Sequence, residues 1–399
     1  MTDCRYIVIG AGMMGAAAAR HLSSQTGGVA LIGPAEPADR KMHQGVFSSH
    51  YDEARITRGF DGDAVWAELA KRSIARYGEI EHQSGIRFYH EVGCLFTGNG
   101  QGLGGDYVAS AMDRKDSMGL TIETYEPDAL ASRFPMFSLP VDHRGWFEPR
   151  NAGYVNPRAL VRAQIAIAER QGACVLRQTV CKIFDSGSGV VVETVDGHRF
   201  TAEKVVVAAG GFTNMADILP LKVDMAATGR TIAFFELNEE KQKAFAGMPS
   251  TIVLAESEDD IVYILPPVRY PDGKVYLKIG GESEKSRMET LDQAIRWFHS
   301  DGTPREVDFL VRRAVELMPE LVGCPVTSGS CVASITRTSY PYIGYTSSSN
   351  IAVLTGGNFV SAKSSDEIGR LGAVLLLEGQ LGEDDFAVEM APVFSDDSG

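Results

Sequence analysis

Residues 5–22 read RYIVIGAGMMGAAAARHL, and this stretch decides the fold. It begins with a short apolar run that suits a buried parallel strand, and it ends with a small-residue run that suits a helix. Between the two runs stand Gly10, Gly12 and Gly15, in the spacing GxGxxG. A second apolar run at residues 29–32 completes a strand–helix–strand unit within about thirty residues. This order of elements predicts a Rossmann-type unit that binds a dinucleotide.

Each glycine of this motif has a physical reason. The first makes a tight turn, the second lets backbone N–H groups approach a pyrophosphate, and the third lets the helix pack closely on the strand. Met13 and Met14 begin the helix, whose N-terminus offers a positive dipole end to the phosphates. The acidic residue expected at the end of the second strand, where it would hold the adenosine ribose, is absent, and Gly33 stands there. Glu36, a little further on, either substitutes for it or is a plain loop residue.

A second glycine-containing segment lies further along the chain. The apolar run at residues 204–209 ends in two glycines, which fits another close approach of backbone to the dinucleotide. Ala209 and Gly210 are therefore predicted cofactor contacts. Residues 190–201, just before this segment, are predicted to form a hairpin. Such a hairpin is common in flavoproteins of the dinucleotide-binding class.

The alternation of strands and helices is broken at about residues 90–150 and 216–325. The second of these stretches contains two runs rich in aromatic and β-branched residues, at 231–235 and 260–265, which predict strands. We therefore expect an α/β fold in which a Rossmann-type dinucleotide-binding domain is interleaved with a mostly antiparallel β substrate-binding domain. A helix is expected from about residue 366 through 377. The predicted boundaries give the first domain residues 1–89, 151–215 and 326–399, and the second domain residues 90–150 and 216–325.

The composition excludes several function classes. The 399 residues carry a net charge of -14, and no dense cluster of Lys and Arg provides the basic surface that a nucleic-acid binder needs. No run of about eighteen apolar residues is present, so a membrane span is not expected. The N-terminus lacks a basic segment followed by an apolar one, so we expect a cytoplasmic protein. The six cysteines lack the spacing of a metal site and predict reduced thiols.

Four separated segments carry a resemblance to a known family. They are residues 49–58 (SHYDEARITR), 276–282 (YLKIGGE), 330–336 (SCVASIT) and 355–365 (TGGNFVSAKSS). Together they resemble the monomeric sarcosine oxidase family, within the wider D-amino-acid-oxidase-like flavoproteins, and the similarity runs over nearly the whole chain. The resemblance implies that the dinucleotide is FAD and that the first domain is an FAD-binding domain. It also adds Val180 to the expected cofactor contacts.

In the first of these segments, a Ser-His pair precedes two arginines. The resemblance implies cofactor contacts from Ser48, Ser49 and His50. It also places Arg55 against the flavin ring and Arg58 on the substrate carboxylate, which a guanidinium matches with two hydrogen bonds. Arginines with this spacing would share one face of a helix. Without the family context, a solvated helix face with ordinary ion pairs is the simpler interpretation.

The second and third segments bear on the flavin itself. By resemblance, Lys278 stands over the flavin and activates dioxygen, because a cation there favours the charge that builds on the oxygen. Alone, this lysine would be interpreted as one on an exposed strand face. Cys331 aligns with a cysteine whose sulfur is bonded to the ring methyl carbon of the flavin, so the FAD is expected to be covalently attached; an isolated buried cysteine is the alternative. Ala333 departs from the family, which usually has tyrosine there.

The fourth segment resembles the one that covers the pyrimidine side of the flavin, with Lys363 at the position of a carboxylate-binding lysine. A glycine-led loop with a solvated lysine is the alternative, and the family version is richer in glycine after the first pair. The cofactor contacts that the resemblance implies in this segment are Gly357, Phe359, Val360, Ser361, Ala362 and Lys363.

Three further positions concern the substrate pocket. Tyr51 stands where the family usually has histidine, and Glu282 replaces another histidine. Our hypothesis is that Glu282 adds a negative group and favours a substrate with an extra cation or hydroxyl. Alternatively, Glu282 pairs with Arg55 or Lys278. Tyr263 is a pocket residue by resemblance and a core aromatic residue otherwise.

The resemblance implies an FAD-dependent oxidase of a small secondary or N-methylated amine or amino acid. A hydride equivalent would leave the carbon next to the amine, the imine would be hydrolysed, and dioxygen would reoxidise the flavin and give hydrogen peroxide. The expected partners are the amine substrate and dioxygen, for a monomer or small homo-oligomer. Two alternatives stay open: a flavin dehydrogenase with another electron acceptor, and a non-catalytic FAD-binding accessory protein. Glycated amino acids and cyclic imino acids are not separated from N-methyl substrates.

Overall fold

The computed structural model describes residues 2–215, 218–219, 221–281, 283, 285–382 and 386–395. These residues form three β-sheets, of eight, nine and three strands. Among them, no helix combines the length and the apolar surface that a membrane crossing needs. Glu282 lies outside the described residues, and its role stays a prediction.

The strands of the described residues are numbered in chain order. They are β1 (Thr2–Ile9), β2 (Val29–Ile32), β3 (Arg55–Thr57), β4 (Tyr89–His90), β5 (Cys94–Gly98), β6 (Glu123–Tyr125), β7 (Arg144–Glu148), β8 (Gly153–Val155), β9 (Cys174–Leu176), β10 (Val180–Asp185), β11 (Val190–Thr194), β12 (Arg199–Val207), β13 (Met225–Glu236), β14 (Ser250–Val253), β15 (Val262–Arg269), β16 (Val275–Gly281), β17 (Arg287–Met288), β18 (Val326–Thr336), β19 (Tyr342–Tyr345) and β20 (Ile351–Thr355).

The helices of the same residues are numbered in the same way. They are α1 (Met13–Ser23), α2 (Ala64–Ser84), α3 (Gly102–Met118), α4 (Pro127–Arg133), α5 (Pro157–Arg170), α6 (Glu239–Ala244), α7 (Leu291–His299), α8 (Pro304–Leu317) and α9 (Ser365–Glu378). The last of them confirms the helix predicted near residues 366–377.

The eight-stranded sheet contains the predicted Rossmann unit. β1 pairs in parallel with both β2 and β12, and β9 and β20 extend the parallel part on either side. α1 connects β1 to β2, so its N-terminus lies at the carboxyl edge of β1. All four residues of β2 are buried, as in a parallel strand covered on both faces. The predicted hairpin is confirmed, because β11 and β12 pair antiparallel.

The nine-stranded sheet is mostly antiparallel, as expected. Its strands run in the order β17-β13-β16-β15-β14-β5-β7-β6, with β18 also paired to β13. The pair of β14 with β5 is parallel, and the other pairs of this sheet are antiparallel. β18 joins this sheet, and β19 and β20 then return to the first sheet. The domain boundaries given above stay a prediction.

The expectation that Arg55 and Arg58 share one face of a helix is wrong. Residues 55–57 form β3, which pairs antiparallel with β8. This pairing holds the backbone of Arg55 extended, whereas Arg58 follows the strand. The two side chains consequently belong to two separate polar clusters, described below.

The alanine-rich sequence of α1 allows α9 to pack directly against it. A Cβ added to Gly369 of α9 would lie 2.4 Å from the Cβ of Ala17, so even one more carbon would collide. The first strand, α1 and α9 share one buried apolar cluster. This contact holds the segment that precedes α9 close to the segment that follows β1.

Candidate functional site

A cavity at the carboxyl edge of the first sheet reaches the second sheet. Its wall brings together segments that follow β1, β2, β9 and β12, the loop before β3, part of β18 and the segment before α9. Nearly all of the predicted cofactor residues line it: Gly10, Gly12, Met13, Met14, Ser48, Ser49, His50, Arg55, Val180, Ala209, Gly210, Cys331, Gly357, Phe359, Val360, Ser361, Ala362 and Lys363. Of the predicted catalytic residues, Tyr51, Arg55, Arg58, Tyr263 and Lys363 line it.

The turn after β1 is shaped for a close approach of backbone. Gly10 has a φ of +110°, and a Cβ there would lie 2.3 Å from the carbonyl oxygen of Ala208. Gly15 lies behind the cavity wall, where a Cβ would lie 1.9 Å from the carbonyl oxygen of Gly10. Gly12 is the N-cap of α1 and has no side chain to bond the N–H groups of the first turn. These groups remain for a ligand, and the turn therefore fits the pyrophosphate of FAD.

The loop before β3 is fixed by its own hydrogen bonds. Ser48 Oγ lies 2.6 Å from Nδ1 of His50. Ser49 Oγ donates to the carbonyl oxygen of Val332 at 2.6 Å, which ties the loop to β18. Burial lowers the pKa of His50 to about 3, and nearby arginines act in the same direction. His50 is therefore neutral at neutral pH, with its ring at the cavity wall.

Cys331 stands on β18, directly opposite Arg230 of β13. Its side chain is half-buried and lines the cavity. The carbonyl oxygen of Cys331 accepts a hydrogen bond from Nε1 of Trp297 at 2.8 Å, which helps to fix the strand at this position. The covalent bond between the sulfur and a flavin stays a prediction.

Three polar side chains converge on Asp52, a residue that sequence reasoning missed. Lys278 Nζ lies 2.6 Å from Asp52 Oδ2, and it also donates to the carbonyl oxygen of Ala54. Arg55 Nε lies 3.1 Å from the same carboxylate oxygen. The hydroxyl of Tyr270 donates to Asp52 Oδ1 at 2.9 Å. Asp52 stands three residues before Arg55, and this spacing was the signal that could have revealed it.

Lys278 is 1% exposed, so the alternative of a lysine on an exposed strand face is wrong. Burial lowers the pKa of Lys278, and the charge of Asp52 opposes that effect. Lys278 is not among the residues that line the cavity, whereas Arg55 and Tyr263 are. Its Nζ lies 5.9 Å from the centre of the Tyr263 ring. Lys278 therefore lies one layer behind the wall.

A second missed carboxylate, that of Asp61, contacts both predicted carboxylate-binding residues. Asp61 Oδ2 accepts a hydrogen bond from Arg58 Nη1 at 2.8 Å and lies 3.0 Å from Lys363 Nζ. The side chains of Arg58, Asp61 and Lys363 are 7%, 4% and 3% exposed. Burial alone would raise the pKa of Asp61, but Lys363 and Arg58 together lower it. Like Asp52, Asp61 stands three residues from its arginine.

Glu148, at the end of β7, is a buried carboxyl group beside this cluster. It accepts hydrogen bonds from the backbone N–H groups of Gly59 at 3.1 Å and Phe60 at 3.0 Å. Burial raises the pKa of Glu148 to about 7, although these hydrogen bonds and Arg58 act against the shift. No signal in the sequence distinguished Glu148, because only the fold brings β7 to this place.

The two predicted pocket tyrosines line the cavity as neutral aromatic groups. Burial raises the pKa of Tyr51 to about 12, and the rings of Tyr51 and His50 meet edge to face at 4.8 Å. Burial also raises the pKa of Tyr263. Glu36, by contrast, is not part of the wall, and its carboxylate is paired with Arg158.

Known proteins show extensive similarity to this chain. A family model described as DAO, FAD dependent oxidoreductase, matches residues 5–375. The chain is 27% identical over 385 residues to monomeric sarcosine oxidase of Bacillus sp. (strain B-0618). The matched region covers 95% of this chain and 93% of that protein. It is 30% identical over 220 residues to N-methyl-L-tryptophan oxidase of Yersinia pestis (strain Pestoides F). This matched region covers 55% of this chain and 56% of that protein.

The fold is similar to that of NikD, an unusual amino acid oxidase essential for nikkomycin biosynthesis, in its open form. The TM-score is 0.80 at 19% sequence identity, and the similarity covers 99% of this chain and 98% of NikD. This likeness confirms the predicted fold class, an α/β fold with a Rossmann-type domain and a mostly antiparallel second sheet.

Proposed function

Because the chain belongs to the FAD dependent oxidoreductase family, we propose that it is an oxidase of a small secondary or N-methylated amine or amino acid. Family membership confirms the predicted resemblance and the predicted cofactor, FAD. The observation that carries the proposal is the continuous wall of the cavity, which joins the glycine turn after β1 to the buried cluster of Arg58, Asp61 and Lys363.

The glycine turn after β1 and the segments around Cys331 and Lys363 would hold the flavin. The bound flavin would supply the redox chemistry, namely removal of a hydride equivalent from the carbon next to the amine and transfer of that electron pair to dioxygen to give hydrogen peroxide. Water then hydrolyses the imine to a carbonyl compound and a shorter amine. The chain itself supplies binding, orientation and charge, and its residues fall into two clusters.

The first cluster is proposed to bind the carboxyl end of the substrate. Arg58 and Lys363 both line the cavity, and a guanidinium and an ammonium are suitable donors to a carboxylate. Asp61 already balances one of these two buried cations, and Glu148 beside them is only partly ionised at neutral pH because burial raises its pKa to about 7. Net positive charge is therefore left for a ligand to balance. We infer that the site accepts a substrate with one carboxylate more readily than a dicarboxylate.

The second cluster is proposed to assist the reaction with dioxygen. Lys278 and Arg55 share the carboxylate of Asp52, which holds both cations in fixed positions. Arg55 lies in the wall of the cavity, and Lys278 lies behind it. A fixed cation near the flavin favours the negative charge that develops on dioxygen during its reduction. Tyr51 and Tyr263 add aromatic surface to the pocket, and the predicted effect of Glu282 on substrate choice stays part of this proposal.

Cys331 is proposed to be the point of covalent attachment of the flavin, because it combines a place in the wall with a half-buried thiol. The test is the visible spectrum of the purified protein before and after acid precipitation. We expect yellow colour in the pellet of the wild type and of Cys324→Ala, whose cysteine lies outside the wall, and a colourless pellet for Cys331→Ala. Yellow colour released from the wild-type pellet would contradict covalent attachment and leave FAD binding intact.

Catalysis is tested on the holoenzyme by anaerobic mixing with a panel of N-methyl amino acids and cyclic secondary amines. We expect bleaching of the flavin absorbance by at least one of them, and then one hydrogen peroxide per flavin when oxygen is admitted. Bleaching without peroxide would favour a dehydrogenase, and no bleaching by any member of the panel would favour an accessory protein. The cytoplasmic location and the monomer or small homo-oligomer also remain proposals.

A further inference from the structure

A second carboxyl group belongs to the surroundings of Arg58 and Lys363. Glu148, at the end of β7, is 1% exposed. Its two oxygens each accept a hydrogen bond from the backbone N–H of Gly59 at 3.1 Å, and Oε2 accepts another from Phe60 at 3.0 Å. Arg58, the residue before Gly59, donates in turn to the carbonyl oxygen of Phe60. One short segment of backbone therefore joins the buried cation of Arg58 to the buried carboxyl group.

The charge of Glu148 is set by its surroundings. Burial raises its pKa to about 7, and the backbone hydrogen bonds, Arg58 and Lys363 oppose this shift. Two further acidic groups lie beside it, namely Cys94 of β5, directly opposite in the antiparallel pair, and Tyr89 of β4. Burial raises the pKa of both, so they stay neutral at neutral pH. Of these three acidic groups, Glu148 is therefore the one that gains or loses a proton near neutrality.

Binding of an anion at Arg58 and Lys363 changes the balance of charge around Glu148. Asp61 already neutralises one of the two cations. A bound carboxylate neutralises the other, and an ionised Glu148 would then be an excess negative charge. The cluster has little contact with solvent, so such an excess is poorly screened. A like charge nearby raises the pKa of a carboxyl group, and a bound carboxylate therefore favours the protonated form of Glu148.

We propose that a carboxylate binds to Arg58 and Lys363 together with a proton, which Glu148 takes up. Glu148 is not among the residues that line the cavity, so it acts through its charge and not by contact with the ligand. Linkage is reciprocal, so the proton strengthens carboxylate binding by the factor by which the carboxylate strengthens proton binding. The inference rests on the proposed role of Arg58 and Lys363, and it adds that the affinity for a carboxylate falls as the pH rises and Glu148 ionises.

The first test is the Kd of the holoenzyme for acetate, measured from the change in flavin absorbance between pH 6 and pH 8.5 at constant ionic strength. Acetate offers a carboxylate, has no amine to be oxidised, and stays ionised throughout this range. For the wild type we expect the Kd to rise about tenfold over the range, which is a typical size for coupling between two sites. A Kd that does not change with pH would overturn the inference and leave the carboxylate site intact. No binding of acetate at any pH would contradict the carboxylate site as well.

Two variants separate Glu148 from other titrating groups. Glu148→Gln keeps an acceptor for the backbone N–H groups but does not ionise, and its Kd should stay at the low-pH value of the wild type throughout. Glu123→Gln removes an exposed carboxyl group from β6, the strand next to β7, and should retain the full rise. Burial also lowers the pKa of Lys363, and titration of this lysine would give the same rise in both variants. An equal rise in Glu148→Gln and Glu123→Gln would therefore overturn the inference.

An infrared difference spectrum tests the wild type directly and needs no variant to fold. Addition of isotope-labelled acetate at pH 8 should produce the C=O stretching band of a newly protonated carboxyl group, and the label separates the bands of the ligand. A pH indicator in weak buffer should report proton uptake in the same experiment. Proton uptake without a new carboxyl band would assign the proton to Lys363 and overturn the inference.

Discussion

Asp61 illustrates at the scale of one residue how a buried carboxylate supports two buried cations. Arg58 and Lys363 come from distant parts of the sequence and meet on the same oxygen of Asp61. Arg58 also packs over the ring of Phe96, with its Cζ 4.9 Å from the ring centre. The cluster has little contact with solvent, so each charge depends on the others for compensation.

We expect Asp61→Asn to destabilise the protein, because Arg58 and Lys363 are buried and lose the carboxylate that both of them contact. Removal of one partner from a buried ion pair typically costs about 3–5 kcal/mol. The free energy of unfolding from denaturant titration is the measurement. The double variant Asp61→Asn with Lys363→Met removes one cation as well and should recover only part of the loss, because Arg58 still lacks its hydrogen-bonded carboxylate. Equal stability of the single variant and the wild type would show that the cluster is not charge-balanced by Asp61.

Glu148 should give the protein a measurable pH dependence near neutrality. Its pKa is raised to about 7 by burial, whereas an unfolded chain has a glutamate pKa of about 4.3. The folded state therefore holds the proton more tightly, and this contribution to stability is present at low pH and is lost as the pH rises through about 7. The full effect of such a shift is about 4 kcal/mol.

Glu148→Gln keeps an acceptor oxygen for the backbone N–H groups and does not ionise. The free energy of unfolding of the wild type minus that of Glu148→Gln, measured at intervals from pH 5 to pH 8, should fall as the pH rises to about 7 and then level off. The other titrating groups cancel in this difference. A difference that stays constant over the range would mean that Glu148 has an ordinary pKa in the folded protein.

At the scale of the elements, one buried carboxylate joins four helices. Asp366, in the first turn of α9, accepts hydrogen bonds from Arg20 of α1 at 2.8 Å, Arg76 of α2 at 2.6 Å and Gln164 of α5 at 2.8 Å. Burial alone would raise the pKa of Asp366, but His21 and the arginines together lower it. Its contribution to stability is therefore present above the ordinary aspartate pKa and is lost as the pH falls through the lowered one.

Asp366→Asn should destabilise the protein at pH 7 by about 3–5 kcal/mol, since the buried arginine loses its counter-charge. Thermal and denaturant unfolding at pH 7 provide the measurement. Asp128→Asn is the matched control, because Asp128 is also in the first turn of a helix, α4, but is exposed. Its loss should be limited to the helix-dipole contribution, about 0.3–1 kcal/mol. Comparable losses in both variants would contradict a special role for the buried network.

At the scale of the whole molecule, local sequence patterns located most of the cavity wall. The glycine motif after β1 and the two glycines after β12 act through their backbone, and the position of backbone next to a strand follows from the local pattern. The resemblance added the segments around Cys331 and Lys363, and both lie in the same wall. Predictions of this kind depend on short stretches of chain and need no knowledge of long-range packing.

The charged partners of those residues were not predicted, because they depend on long-range contacts. Lys278 and Asp52 are 226 residues apart in sequence and meet only when β16 packs against the loop before β3. The helix expected around Arg55 was wrong for the same reason, since pairing with β8 decides the local conformation.

The positions of the wall segments along the sequence also set the order in which the site can be completed during synthesis of the chain. The glycine turn at residues 10–15 leaves the ribosome early, together with Arg58 and Asp61, whereas Lys363 follows some three hundred residues later. Until then the segment before α9 cannot cover the phosphate-binding turn, and Asp61 cannot pair with Lys363. A growing chain would thus complete both the wall of the cofactor cavity and the cluster of Arg58, Asp61 and Lys363 only after residues 357–363 have been made.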